Sequence, residues 1–194
     1  MTKNKTRKNK SVYKKNDYES DSGMLTSVWG PSLWHSLHII SFNYPMNPTL
    51  LQKRKYMGFL KSLIYVLPCK YCRINLKKNF KCLPLKMSVM KNRITFSKYV
   101  YKLHEHINKM LGKKSGLSYC DVRERYEHFR ARCTSKNMIK KMKNCKTKTI
   151  KKKESGCTEP LKGEKSKCII KIVPQRYKCK TFQMNKTCKK YRVN

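Results

Sequence analysis

The chain has 194 residues, and its 48 Lys and Arg against 10 Asp and Glu give a formal net charge of +38. The longest apolar candidate, FLKSLIYVL, is interrupted by Lys61 and falls well short of the roughly 18 residues that a membrane-spanning helix needs, which excludes such a segment. No apolar leader opens the chain, so secretion is not expected, and ten cysteines without a leader favour thiols, metal ligands or catalytic groups over structural disulfides.

The positive charge is spread along the chain rather than confined to one end. Residues 24–133 carry 21 basic against 4 acidic side chains, and residues 134–194 carry 20 against 3. Such a surface attracts polyanions or acidic partners with an affinity that falls as salt rises. Solvated lysine from a biased composition is the alternative interpretation, and the sequence leaves it open.

Composition divides the chain into three parts. Residues 1–23 are polar and without periodicity, which predicts a disordered basic arm. Residues 24–133 hold both tryptophans, all five histidines and most of the helical periodicity, which predicts one folded domain. Residues 134–194 form a Lys- and Cys-rich tail that we expect to be mostly disordered, with CIIKIV as a candidate lone strand.

The first predicted helix is PSLWHSLHIISF, which places Trp34, Leu37, His38 and Ser41 on one stripe. Pro31 suits its first turn, where a missing backbone N–H costs nothing. The two prolines of NYPMNP end the helix.

Four further helices follow. TLLQKRKYMGFLKSLIYVL repeats apolar groups at helical spacing, and Pro68 before Cys69 indicates that a new helix starts at the cysteines. FSKYVYKLHEHINKML has the clearest apolar face and Gly112 as its stop, and YCDVRERYEHFRARC makes a last, shorter helix. Five helices without a convincing strand predict an all-α helical bundle.

Cys69 and Cys72 form a C-x-x-C pair at the predicted start of a helix, beside Lys70 and Arg73. The helix dipole, the unpaired backbone N–H groups and these cations all favour a thiolate, so Cys69 should be a reactive thiol. A zinc site is the weaker interpretation, because no second Cys or His pair follows at matching spacing. We therefore predict a redox pair and no metal.

Polar and aromatic residues on apolar helix faces accompany this pair. His38 follows Trp34 by one turn, and Asn108 follows His104 by one turn. Each could be a core residue with a satisfied hydrogen bond, but together they indicate a pocket for a flat, heterocyclic cofactor.

Five motifs in order, WGPSLWHSLH, NYP, PCKYC, YVYKLHEHINKMLGK and YCDVRERYEHFRARC, resemble the Erv/Alr family of FAD-linked sulfhydryl oxidases over about residues 27–133. The resemblance implies a four-helix bundle with a short fifth helix, a homodimer, and FAD bound beside the C-x-x-C pair. By position it implies that the cofactor contacts Gly30, Trp34, His38, Tyr44, His104, Asn108, Lys113, Arg125 and Tyr126. Lys113 and Arg125 also suit a pyrophosphate by their charge.

The resemblance also implies the reaction. A dithiol in a protein substrate attacks the Cys69–Cys72 disulfide at Cys69, the pair passes two electrons to FAD, and O₂ reoxidises the flavin to give H₂O₂. Residues three apart in a helical turn allow one sulfur to face solvent and the other to face the cofactor.

Three positions depart from the family pattern. Tyr101 stands where the family commonly has a cysteine that bonds the one matching Cys120, so Cys120 is left to pair with Cys133 or to remain free. Glu105 replaces a usual asparagine, and Tyr126 replaces a usual tryptophan.

Other functions and partners remain open at this point. A non-enzymatic nucleic-acid-binding protein with incidental or zinc-binding cysteines is the alternative, and the basic tail could hold the protein on an anionic surface such as nucleic acid. The tail cysteines could instead relay electrons from the substrate. The resemblance and the composition favour a viral enzyme that acts in the host cytoplasm or virion.

Overall fold

The computed structural model describes residues 13–134, 156–161, 168–169, 171–174 and 176–177, with the side chains of 132–134 and 158–159 left out. The helices are α1 (Lys15–Tyr18), α2 (Thr26–Phe42), α3 (Leu50–Val66), α4 (Lys70–Cys82), α5 (Arg93–Met110) and α6 (Tyr119–Glu127), with a 3-10 turn at Met87–Met90. Four long helices and the shorter α6 form an all-α bundle, as predicted. The single turn α1 falls inside the predicted arm, and none of its residues is buried.

Local capping signals set most helix ends. Thr49 caps α3 through a capping box, because its hydroxyl accepts from the Gln52 N–H and the Gln52 side chain accepts from the Thr49 N–H. Asn92 and Ser118 cap α5 and α6 in the same way. Gly112 adopts φ +66 just after α5, a left-handed conformation that ends the helix at little cost.

The start of α2 differs from the prediction. The helix begins at Thr26, so Pro31 lies inside it rather than in its first turn. One distant and one local contact fix the extra turns. Met24 N–H donates to the Pro68 carbonyl, and the Trp29 indole donates to the Met24 carbonyl five residues earlier. These contacts outweigh the hydrogen bond that Pro31 cannot make inside a helix.

The core lies where α2 and α5 face each other, with α3 and α4 packed beside them. Apolar side chains from these helices, their connections and the 3-10 turn form one buried cluster: Leu37, Tyr44, Leu60, Leu63, Leu67, Leu76, Met90, Phe96, Tyr99, Val100 and Leu103. Cys72 and Trp34 of the candidate site pack against this cluster.

Arg130 fixes the end of α6 against the end of α2. Its guanidinium pairs with both carboxylate oxygens of Glu127 and also donates to the Phe42 carbonyl at 2.8 Å. The Phe42 carbonyl belongs to the last turn of α2, where a carbonyl has no partner within the helix, so the arginine satisfies it.

A strand pair that the sequence did not predict follows α6. Strand β1 (Ala131–Thr134) pairs with β2 (Gly156–Pro160) in antiparallel register, with Ala131 opposite Pro160. The pairing joins residues far apart in sequence, which a local pattern cannot show. The described residues of CIIKIV lie outside any strand, so that prediction is wrong for them. The predicted disorder of residues 1–12 and of most of the tail lies outside the described residues.

Within the described part of the chain, no helix combines the length and the apolar character needed to cross a bilayer.

Candidate active site

The cysteine pair lies at the first turn of α4, as the sequence predicted. Cys69 is the N-cap, and its sulfur accepts a hydrogen bond from the Cys72 N–H at 3.2 Å. Gly23 forms an isolated antiparallel bridge to Cys69, with φ +103. A Cβ on Gly23 would lie 2.7 Å from the Pro68 carbonyl oxygen, so the close approach requires glycine.

The surroundings shift the pKa values of the two thiols in opposite directions. Burial opposes ionisation of Cys69, but hydrogen bonds from the Cys72 side chain, from the Cys72 and Tyr71 N–H groups, and the charge of Arg73 lower its pKa. Burial, followed by the hydrogen bond to Cys69 and the charge of Cys69, raises the pKa of Cys72. In the dithiol form, Cys69 therefore ionises more readily than Cys72.

The two sulfurs also differ in their packing. Both residues are half-buried free thiols, but Cys72 packs against the buried apolar cluster, while Cys69 caps the helix beside the chain segment at Gly23. The arrangement gives one sulfur toward the interior and one at the edge of the fold.

Four of the predicted cofactor residues meet in one aromatic cluster between α2, α5 and α6. Trp34 stacks on His104 with ring centroids 4.0 Å apart and planes 5° from parallel. His38 Nε2 lies 3.0 Å from His104 Nδ1, and the His38 ring stacks on Tyr126 at 5.1 Å. The helical spacing between Trp34 and His38 on α2 and the position of His104 on α5 bring these rings together.

Both histidines are held neutral. Burial, with smaller contributions from His104 and His35, lowers the pKa of His38 to about 3. Burial also lowers the pKa of His104 to about 4; Glu105 opposes this shift and Lys113 adds to it. Neutral imidazoles can donate and accept hydrogen bonds, and His38 Nδ1 is buried without a hydrogen-bond partner among the described residues.

The remaining predicted cofactor residues of the helices and their ends are Asn108, Lys113, Arg125 and Gly30, and their surroundings differ. Asn108 donates from Nδ2 to Glu105 Oε1 at 3.0 Å, so the acidic replacement at position 105 orients this amide. Lys113 lies close enough to His104 to influence its pKa, and Arg125 does the same for Tyr126. Gly30 leaves open space, because a Cβ built on it meets no atom within 4 Å.

Tyr44 is placed in the core. It is fully buried, its hydroxyl donates to the Met90 carbonyl at 3.0 Å, and its ring packs edge-on against Tyr56 and Phe96. These contacts give Tyr44 a structural role, and its contact with a cofactor stays a prediction.

Sequence reasoning missed three members of the aromatic cluster. The His35 ring contacts Tyr126, Phe42 stacks on Tyr126 at 5.4 Å, and Phe129 packs edge-on against both His35 and Tyr126. His35, His38 and Phe42 stand at i, i+3 and i+7, which is the spacing of one helix face and was the available signal.

Tyr101 contacts the segment that leads into α6. The Tyr101 hydroxyl donates to the Leu117 carbonyl at 2.7 Å, and its ring packs edge-on against Tyr119. Cys120 is an exposed free thiol, and the side chain of Cys133 lies outside the described ones. Of the tail cysteines, Cys157 in β2 is disulfide-bonded.

Two neighbouring thiols at the start of a helix, with opposed pKa shifts and one of them packed against the bundle core, favour thiol–disulfide exchange chemistry. Among the described residues, no group of three or more His, Cys, Asp or Glu could hold a metal ion. The chain belongs to the Erv1/Alr family, whose model matches residues 31–127, half of the chain.

Relatives with curated names are named as FAD-linked sulfhydryl oxidases. The "probable FAD-linked sulfhydryl oxidase" of Acanthamoeba polyphaga mimivirus is 36% identical over 104 residues, covering 54% of this chain and 72% of the relative. The FAD-linked sulfhydryl oxidase of African swine fever virus is 27% identical over 99 residues, covering 51% and 80%. Among solved structures, the FAD-binding domain of Erv1 from Saccharomyces cerevisiae aligns with TM-score 0.49 and 24% identity, over 53% of this chain and 94% of that one.

The residues present fit a flavin. A buried imidazole nitrogen without a partner can bond a heterocycle, and the stacked rings of Trp34 and His104 offer flat surfaces of the kind a ring system packs against. The open space at Gly30 allows close approach to α2, and Lys113 supplies a cation beside His104.

Proposed function

We propose that Cys69 and Cys72 are the redox pair of this enzyme and that the aromatic cluster of Trp34, His38, His104 and Tyr126 lies in its FAD site. The chain is an FAD-dependent sulfhydryl oxidase by family membership, and it forms disulfides from thiols. The observation that supports the residue assignment best is the opposed pKa shift of the two cysteines at the start of α4.

Thiol–disulfide exchange at this pair proceeds in two balanced steps. A substrate thiolate attacks the sulfur of Cys69, the Cys69–Cys72 bond breaks, and Cys72 leaves as a thiolate. A second substrate thiolate then attacks the substrate sulfur of the mixed disulfide, and Cys69 leaves. The lowered pKa of Cys69 favours this second step, because a thiol of lower pKa is the better leaving group. The substrate gains a disulfide, and the enzyme pair holds two electrons.

Cys72 is suited to deliver those electrons, because it and Trp34 of the aromatic cluster pack against the same buried core. FAD, when bound, accepts two electrons and passes them to O₂, which gives H₂O₂. His38 and His104 would hold the ring system by neutral hydrogen bonding, with Asn108 oriented by Glu105. Lys113 and Arg125 would bind the pyrophosphate, as their charge suits.

Oxygen consumption by the purified protein tests this assignment. With dithiothreitol or a reduced, unfolded protein as the substrate, we expect O₂ uptake and equimolar peroxide, and we expect Cys69→Ser to abolish both. Cys120→Ser is the control, because Cys120 is an exposed thiol on α6 that takes no part in the exchange. Undiminished turnover by Cys69→Ser would overturn the assignment.

A homodimer is proposed as the assembly. An apolar groove of about 360 Å³ between α2 and the end of α3 supports it, since such a surface favours burial against a second copy. Its lining is mostly apolar: Trp29, Leu33, Leu63, Val66, Leu67 and Pro68, with Ser32 and Ser36. Light scattering of wild type and of Leu33→Asp tests the assembly, and an unchanged mass for the variant would argue against this face.

The host cytoplasm or virion is proposed as the compartment, because relatives come from large DNA viruses. Immunodetection in infected cells tests it. Anchoring on nucleic acid through the basic tail remains a proposal that rests on charge, with 20 basic against 3 acidic side chains in residues 134–194. Truncation at residue 134 tests it by the loss of salt-sensitive binding to duplex DNA.

A further inference from the structure

The redox helix carries basic side chains and no acidic ones. Helix α4 has the sequence KYCRINLKKNFKC, with five Lys or Arg and no Asp or Glu. The absence extends well beyond the helix, because the chain has no Asp or Glu between Asp21 and Glu105. The charge of α4 around Cys69 is therefore positive, and Arg73 of this helix acts directly on the Cys69 thiol.

The exposed residues of α4 fall on one face. Lys70, Ile74, Lys77 and Lys81 stand at i, i+4, i+7 and i+11, which is one stripe of a helix, and all four are exposed. We call this set the α4 stripe. It begins next to Cys69 and runs for roughly 16 Å along the helix at about 1.5 Å per residue.

The lysines of the α4 stripe are available to a partner. The two ion pairs within the described part of the chain, Lys15–Glu19 and Glu127–Arg130, lie on other elements. Tyr71 is 75% exposed and Ile74 is 43% exposed, so apolar surface adjoins the charges. Charge with adjoining apolar surface suits a polypeptide segment, which has both carboxylates and carbon side chains to place there.

We propose that the α4 stripe docks the substrate protein and selects an acidic segment next to the substrate cysteine that attacks Cys69. This inference rests on the proposed function of the Cys69–Cys72 pair. The length of the stripe matches about five residues of extended chain at roughly 3.3 Å each, so the carboxylates lie within about five residues of the reacting cysteine.

The positive charge of the α4 stripe also affects the ionisation of the substrate cysteine. Acidic neighbours raise the pKa of a cysteine in the free substrate, and the substrate thiolate, not the thiol, is the attacking species. Docking on the α4 stripe neutralises those carboxylates and favours the thiolate at the moment of contact. Substrates with basic flanks are repelled by the same lysines.

Three peptides that share one Cys-x-x-Cys core and differ in their flanks, acidic, neutral or basic, test the proposal on the full-length holoenzyme. We expect kcat/KM for the acidic peptide to exceed that for the basic one by about tenfold or more in low salt. The ratio should collapse near 1 M salt, where the Debye length is about 3 Å. Each rate is divided by the dithiothreitol rate of the same preparation.

Two charge-reversal variants distinguish an effect of the α4 stripe from an effect of the protein's net charge. Lys77→Glu with Lys81→Glu should invert the preference between acidic and basic peptides. The matched control, Lys55→Glu with Lys102→Glu, removes the same charge from exposed lysines on α3 and α5 and should keep the acidic preference.

Failure of the docking proposal can be distinguished from failure of the proposed function. Equal rates for all three peptides, with dithiothreitol still oxidised, would overturn the docking proposal and leave the oxidase intact. Loss of salt-sensitive DNA binding in the Lys77→Glu, Lys81→Glu variant, without any peptide preference in the wild type, would reassign the α4 stripe to nucleic acid. Oxidation of neither peptide nor dithiothreitol would remove the proposed function itself.

Discussion

His38 Nε2 on α2 and His104 Nδ1 on α5 lie 3.0 Å apart, inside an aromatic cluster that keeps both imidazoles neutral. One of the two nitrogens carries the proton of this hydrogen bond and the other accepts it. The contact joins the two helices that make the core, so their association depends on the protonation state of these rings.

The fold should therefore lose stability in mild acid. The folded pKa values of about 3 and about 4 lie below the ordinary 6.5, so the unfolded chain binds more protons and the stabilisation, fully present above pH 6.5, is lost as pH falls toward 4. Lowering the pH from 7 to 5 should cost about 2 kcal/mol per histidine. Urea unfolding at the two pH values measures it.

His38→Asn should remove about half of this pH dependence, because the substituted side chain does not titrate. His106→Gln is the control, because His106 stands two residues from His104 on α5 and therefore points to a different helix face. Equal stability of the wild type at pH 7 and pH 5 would contradict the neutral pair.

Gly30→Leu should expel the cofactor without harming the fold. A Cβ at Gly30 meets no protein atom within 4 Å, so we expect the added side chain to displace a bound ligand rather than protein atoms. Replacing a helical glycine should add roughly 0.5–1 kcal/mol to the free energy of unfolding. The flavin-to-protein ratio of the purified variant and its unfolding curve give the two readouts.

Gly58→Leu is the matched control, because Gly58 on α3 also has open space around it. It should gain similar stability and keep its flavin. Full flavin content in Gly30→Leu would place the cofactor elsewhere.

Much of the fold and part of the site could be predicted because their signals are local. Pro68 before Cys69 and Gly112 after α5 marked helix ends correctly, since a cap depends on a few adjacent residues. The start of α2 was misplaced because it depends on the distant Pro68 carbonyl, and the β1–β2 pair was missed because its partners are far apart in sequence.

The candidate site shows the same division between features set by local signals and features set by distant contacts. Trp34, His38 and His104 could be predicted from helical spacing and the family motifs, and the structure brings them together. Tyr44 could not be assigned to the core, because Tyr56 and Phe96 bury it from other helices. Fractional burial of this kind is a property of the packed bundle rather than of the local pattern.

Tyr101→Phe should destabilise the protein by about 1 kcal/mol, the typical cost of one hydrogen bond, since its hydroxyl donates to the Leu117 carbonyl ahead of α6. Tyr65→Phe is the control, because Tyr65 is 77% exposed. Chemical denaturation of both variants measures the difference. Equal stability would show that the Tyr101 hydroxyl does not help to hold α5 to the segment ahead of α6.

Arg73→Met should raise the pKa of Cys69, because Arg73 is one of the groups that lower it. The pH profile of alkylation of the reduced enzyme should shift toward higher pH. Arg73→Lys keeps the charge and should shift the profile less, although it gives up the hydrogen bond from Arg73 to the Leu67 carbonyl. Superimposable profiles for wild type and Arg73→Met would remove the electrostatic account.

Anaerobic mixing with dithiothreitol, followed by flavin absorption, tests the electron path most directly. The wild type and Cys82→Ser, an exposed thiol at the far end of α4, should both lose their flavin absorption. Cys72→Ser should hold its flavin and stay yellow, because it lacks the sulfur that we propose delivers the electrons. Bleaching of Cys72→Ser at the wild-type rate would contradict the account.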